Sequence, residues 1–320
     1  MKRILIGTAA VWVAAVTAGF AAPMERKDVT TDPALLAHVD VDALKNTSVG
    51  KAILADPDVQ TKLDGVEAAF NFDLRKDLHG FTIYTTTEHS QAPALIVYAD
   101  FDPDRLVKLA KTFPGYEAET NGGRVLHSWN NDKKNDDDSP RIHAAIAGHR
   151  VVFGKSKDAL THALDVIEGK ADSLKDAKLL LPKKDGDLVV IEGCLHKFDV
   201  GDNNPASAVF QQSKTVRFQL AESGEKVGAK VSFQAKDEDA ATQVAAMVNG
   251  LLALVKIQQD KGDPNLIKLA NAIEVKQDGA TVTLGLSEPS AELIQMIKKG
   301  AEEKKHKEGA VDTNAPATKT

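Results

Sequence analysis

The chain is 320 residues long, 42% hydrophobic and 27% charged, with 40 basic against 46 acidic residues, one cysteine and only 5% aromatics. That balance excludes a disulfide-built miniprotein, a multipass membrane protein and a basic nucleic-acid binder. A core has to be assembled chiefly from Ala, Val, Leu and Ile, and extended stacking platforms for bases or sugars are not expected.

In chain order, Lys2 and Arg3 precede the apolar run ILIGTAAVWVAAVTAGF, which ends in small residues. Residues 1–21 read as a secretory signal peptide, with Gly19 and Ala21 at the small-residue positions of a cut after Ala21. An uncleaved anchor is the competing reading, because the run approaches the roughly 20 residues that span a bilayer. Cleavage removes Lys2 and Arg3, leaving 38 basic against 46 acidic residues and a charge of −8. The expectation is a periplasmic or secreted protein with no nucleic-acid partner and no stable membrane insertion once the signal is gone.

A polar lead over residues 22–33 comes next, then two units, 34–180 and 186–299, separated around Pro182 to Gly186. The tail, 300–320, mixes charge runs with Ala, Thr and Pro and is expected to be disordered. Each unit opens with an apolar strand, ALLAHVDV or GDLVVIEGCL. The segment from Phe81 to Leu106 lies without gaps on the segment from Val216, matching two alternating strands and an acidic helix start at Asp102 and Asp104, or Asp237 and Asp239. A second block repeats too. Ile142, Gly148, Val151, Gly154, Ser156 and Gly169 match Ile273, Gly279, Val282, Gly285, Ser287 and Gly300, each copy reading strand, turn, strand, Ser cap, helix and Gly stop.

The first unit adds a hairpin, YEAETNGGRVLHSW, with turn chemistry at Asn121 and Gly122; the second adds a long helix, DEDAATQVAAMVNGLLALVKIQQ, with a core stripe. Hairpins joined to helices without βαβ alternation predict an α+β fold of two tandem related units, antiparallel hairpins packed against helices.

Motifs that suggest chemistry each have a plainer reading. GKS at Gly154 to Ser156 resembles the end of a phosphate loop, but five residues instead of four separate Gly148 from Gly154, and the second copy replaces Lys155 by Leu286. His38, Asp40 and Asp42 alternate on one strand within reach of a cation, against a reading in which Val39 and Val41 point inward. The acidic loop 130–140, NNDKKNDDDSP, is rich in oxygen ligands but lacks the EF-hand pattern and carries Lys133 and Lys134. His127, His143 and His149 cluster near it without anything that fixes a pair. TSVG at Thr47 lacks the first glycine of a nucleophile elbow. Cys194, the sole cysteine, is expected to be buried as a small apolar side chain.

FDLRKDLHGFTIY, with Asp73, Lys76, Asp77, Thr82 and Tyr84 in a D-x-x-K-D-x-x-x-x-T-x-Y pattern, and the later LLALVKIQQDKGDPNLIKLANAIEVKQDGATVTLGLSEP region resemble a group of secreted bacterial proteins of unknown function. The resemblance implies an exported protein of two α+β halves and supplies no catalytic residues. The sequence is therefore read as a non-catalytic envelope protein that binds, scaffolds or regulates through a surface or inter-unit groove. No catalytic residue, cofactor or metal ligand is assigned, and the partner is an unidentified envelope protein or ligand. The alternative is a metal-assisted hydrolase assembled only by folding, with His38 and Asp40 as the pair to inspect.

Overall fold

The structure, a computed structural model, describes residues 24–86, 93–131, 141–196, 207–257 and 264–311. The signal segment and residues 132–140 of the acidic loop lie outside the described residues.

The first half contains β1 (Pro33–Asp40), α1 (Val41–Asn46), α2 (Ser48–Leu54), α3 (Pro57–Phe70), β2 (Leu78–Thr86), β3 (Ala94–Ala99) and α4 (Pro103–Ala110). It continues with β4 (Glu117–Asn121), β5 (Arg124–Asn130), β6 (Arg141–Ala147), β7 (Arg150–Gly154) and α5 (Lys157–Ile167). The second half contains β8 (Leu188–His196), α6 (Ser207–Gln211), β9 (Ser213–Ser223), β10 (Lys226–Ala235), α7 (Glu238–Ile257), α8 (Pro264–Ala272), β11 (Glu274–Asp278), β12 (Thr281–Pro289) and α9 (Ser290–Val311).

The α+β class holds, but the strands form one sheet. Among the described residues it has twelve strands in the order β11-β12-β10-β9-β8-β1-β2-β3-β7-β6-β5-β4. The halves meet at an antiparallel seam in which β1 pairs with β8, from Leu35 opposite Leu195 to Val39 opposite Ile191. Outward from that seam, each side runs opening strand, hairpin, then the next hairpin with its second strand innermost. The edge strands β4 and β11 carry Glu117 and Glu119, and Glu274, Lys276 and Asp278, charges that disfavour edge-to-edge pairing.

Register assigns the helices to faces. On one face, Leu36, Tyr84, Ile96 and Val152 pack under Leu160, Ala163 and Leu164 of α5. On the other, Phe233 and Val282 pack under Ala241, Val244 and Val248 of α7. Among the described helices, α7 alone is long and apolar enough to cross a membrane by length and composition. Ala241 and Val244 nevertheless have no exposed surface, so its inner stripe is part of the core.

The lead is more structured than a polar linker. Asp28 and Val29 are fully buried, and Thr30 bridges to Ser173. A chain of polar groups ties the lead to the sheet: His38 Nδ1 lies 2.8 Å from Thr82 Oγ1, Thr82 donates to Tyr98, Tyr98 donates to Asp28, and Arg150 Nε donates to Asp28 at 2.6 Å. Burial raises the Asp28 carboxyl above its ordinary range, with Arg150 as the main opposing influence.

Several local expectations shift. His38 and Asp40 face the core while Val39 is half-buried, the reverse of the inward-valine reading. The hydrogen-bond chain accommodates His38, and Asp40 caps α1 by accepting from Ala43 N at 2.7 Å. The β4–β5 turn falls at Gly122 and Gly123, whose φ values of 58° and 81° need glycine, one residue later than expected. Gly169 stops α5 at φ 73°, but α9 runs through Gly300 to Val311, so helix occupies the first part of the expected tail. The helix-forming AEEKKHKE that follows Gly300 supplies no stop signal.

Ser156 caps α5 by accepting from Ala159 N, whereas Ser287 lies inside β12, because the β10–β12 ladder continues to Pro289. Ser156→Ala should cost about 1 kcal/mol in urea unfolding. Lys155→Ala, at an exposed side chain, should stay within about 0.5 kcal/mol of the parent. Equal losses for both would overturn the capping assignment.

Candidate ligand-binding groove

The two sheet faces are covered unequally. β3 and β7 read ALIVYA and RVVFG, apolar on both sides, so both of their faces need a cover. Ile96 and Val152 are sealed under α5, whereas Val97, Val151 and Phe153, on the opposite face, are only half-buried. In the second half, the 20-residue α7 closes that same face and buries Ala240, Ala241, Val244 and Val248. In the first half the cover is α4, eight residues long, with no fully buried residue.

Asp102 starts α4 by accepting from Asp104 N at 2.9 Å and Arg105 N at 3.3 Å, with Pro103 in the first turn. Leu106, Leu109 and Phe113 then turn toward the sheet at helical spacing. Eight residues give about 12 Å of helix, too little to seal the half-sheet. Grooves of about 770 Å³ and 280 Å³ are left against α4, and they share Leu106, Leu109, Val151 and Phe153.

The larger groove has a floor of Val97, Val151 and Phe153 and a far wall from the end of α3, Phe70 and Phe72. That wall is held by local chemistry. Asn71 ends α3 in a left-handed conformation, φ 47°, with its N–H returned to Glu67 O. Arg75 then clamps the turn by donating to Gln60, Asp64, Glu67 and Asp73. Its guanidinium holds the Asp73 carboxyl well below the usual range, with Lys76 as a second partner. The smaller groove is closed by Phe113, Trp129, Ala144 and Ile146, and the Trp129 ring lies 5.3 Å from Phe113 and 6.4 Å from Phe153. Phe70, Leu109 and Phe113 are 49%, 37% and 39% exposed around these openings, an apolar patch of the kind that marks a binding surface.

The residues singled out from sequence do not converge here. Asp42 does not join His38 and Asp40; it lies in α1, 2.5 Å from Lys45 Nζ and 2.8 Å from His79 Nδ1. Among the described residues there is no group of three or more His, Cys, Asp or Glu placed to hold a metal ion. His127 stacks on Tyr116 and meets its hydroxyl at 2.8 Å, whereas His143 pairs across strands with Ser128 on the opposite sheet face. Burial lowers the pKa of both imidazoles. His149 sits in the β6–β7 turn beside Asp100. Thr47 caps α2 through Gly50 N. Cys194 is fully buried at the seam, and burial pushes its thiol up to about 12. No cleft parts the halves within the sheet, because β1 and β8 are hydrogen-bonded neighbours, but a groove of about 480 Å³ does lie between them where α2 and the start of α3 meet α9, lined by Ile53, Ile294 and Ile297.

Sequence reading missed the groove residues. The available signal was the mismatch between apolar runs in β3 and β7, which need cover on two faces, and the eight-residue helix that follows β3.

Fold and groove together define an α+β protein built on one antiparallel sheet, with an apolar groove on one incompletely covered face. No family model matches the chain, and no curated protein matches it. Among solved structures it is similar to crystal forms III, I and IV of the Treponema protein TP0453, at 8%, 8% and 9% identity and TM-scores of 0.48, 0.43 and 0.43. These alignments cover 88%, 88% and 85% of this chain and 100%, 99% and 95% of the matched chains.

Proposed function

We propose that the protein is a non-catalytic, exported envelope protein that binds an elongated apolar ligand, a hydrocarbon chain, in the groove around α4. The observation that carries this reading is a groove of about 770 Å³ with an aliphatic and aromatic lining that joins a second groove beneath the same helix. Small-ligand sites are typically concave, mostly apolar and roughly 300–1,000 Å³ in volume. At about 0.8 kcal/mol per buried methylene, a chain of about ten carbons gains on the order of 8 kcal/mol, or micromolar affinity before ordering costs.

Trp129 provides the test. The chain has two tryptophans, Trp12 and Trp129, so in a Trp12→Phe protein Trp129 is the single indole emitter. Titration with decanol should shift its emission saturably below the solubility limit of decanol, at concentrations above the micromolar figure because ordering costs weaken binding. Phe70→Asp and Leu109→Asp, at exposed positions that leave the core intact, should weaken the response about tenfold. An emission spectrum unmoved up to the solubility limit of decanol, with no calorimetric heat, would overturn the reading.

A further inference from the structure

The charges around the larger groove are unevenly committed. Its lining includes three acids, Asp77, Asp100 and Asp102, and two bases, Arg105 and Lys108. Each acid already has partners. Asp77 accepts from Asp73 N at 2.7 Å, and Asp102 caps α4. Asp100 lies 3.3 Å from His79 Nε2 and 3.4 Å from His149 Nδ1. The bases are different: neither the Arg105 guanidinium nor the Lys108 ammonium has an ion pair or side-chain hydrogen bond among the described residues, although the chain is acidic overall. They stand three residues apart, on one side of α4, beside Leu106 and Leu109.

An apolar trough bordered by two uncommitted cations matches a particular ligand shape. We propose that the groove takes a single-chain amphiphile with an anionic head group, its hydrocarbon chain on Val97, Val151 and Phe153 and its head held by Arg105 and Lys108. This rests on the groove reading above and adds the head group to it. Arg105 offers a planar fork of donors to a carboxylate or phosphate, and Lys108 a second point charge. A cationic head would face both bases, while the acids are occupied by His79, His149 and backbone N–H groups.

Isothermal titration with ligands of one chain length separates the head-group claim from the groove claim. Decanoate and decyl phosphate carry the two anionic heads, decanol carries none, and decyltrimethylammonium carries the opposite charge. The parent protein should bind each anion about tenfold more tightly than decanol, and the cation more weakly than decanol. The tighter of decanoate and decyl phosphate identifies the preferred head, and either order fits the proposal. In an Arg105→Glu/Lys108→Glu protein the anion-to-decanol affinity ratio should fall from about ten to about one, and in the parent the same ratio should shrink with added salt. Both side chains are exposed, and an unchanged thermal unfolding midpoint checks that the double variant folds. Equal affinity of the parent for decanol and decanoate, or a preference that survives the double charge reversal, overturns the head-group assignment. Binding of none of the four ligands is the separate failure of the groove itself.

Discussion

Arg150→Met should destabilise the protein by about 3–5 kcal/mol at pH 7, the range expected when one partner of a buried ion pair is removed. Asp28 is fully buried at the end of the polar chain that starts at His38, and among the described residues the Arg150 guanidinium is the only basic group bonded to it, at 2.6 Å. The pH dependence follows from the direction of the Asp28 shift. Burial raises its carboxyl pKa above the unfolded value, and Arg150 opposes that rise. A carboxyl raised on folding contributes stability that is complete below its unfolded pKa and is lost as pH climbs through the folded one. Without Arg150 the folded pKa rises further, so the variant's deficit is largest at neutral pH and shrinks as pH falls toward the ordinary carboxylate range. Urea unfolding of parent and variant at pH 7 and at about pH 4.5 measures this, with the difference at the lower pH expected to be about half that at pH 7 or less. A deficit that is the same at both pH values would assign the role of Arg150 to packing, since its guanidinium also lies 5.9 Å from the centre of the Tyr98 ring.

Gly193→Ala should cost about 3 kcal/mol or more, because it places a methyl group inside the seam that joins the halves. A Cβ at this position meets Leu36 O at 2.2 Å, the Phe218 ring at 2.5 Å and Ala37 Cα at 3.0 Å. Two of these atoms are backbone in β1, and they cannot retreat without breaking the ladder between Leu35 and Val39. Overpacking a well-packed interior typically costs about 1–3 kcal/mol, and a clash with backbone belongs at or above the top of that range. Gly285→Ala is the matched control. It also lies within a strand, β12, yet nothing stands within 4 Å of its added Cβ, so the protein should lose no stability. A Gly193→Ala protein as stable as the Gly285→Ala protein would contradict the pairing of β1 with β8.

Much of the fold could be read from residue patterns. Alternation in FTIYTTT and VRFQLAES announced β2 and β9, Asp102 and Asp237 marked the starts of α4 and α7, and Gly169 marked the end of α5. What the patterns could not convey was long-range pairing. Nothing local in ALLAHVDV or GDLVVIEGCL indicates that these two strands lie side by side, or that Gly193 is there to let them approach. Nor does alternation say which face is inward when both faces are covered, and for that reason His38 and Asp40 proved to be interior groups satisfied by Thr82 and by the first turn of α1. The groove was the least legible feature. It arises from a difference in length between two helices on the same sheet face, eight residues in α4 against twenty in α7, and its lining is drawn from α3, β3, α4, β5, β6 and β7.

Photoaffinity mapping decides whether the space around α4 is a ligand site. A decanoate analogue carrying a diazirine near its chain end, activated in the presence of the protein and followed by peptide mass spectrometry, should label two stretches, Ala69 to Thr112 and His127 to Phe153, with excess decanoate suppressing the signal. Labelling confined to the separate groove between α2 and α9, around Ile53 and Ile297, or scattered labelling that decanoate does not compete, would contradict the account.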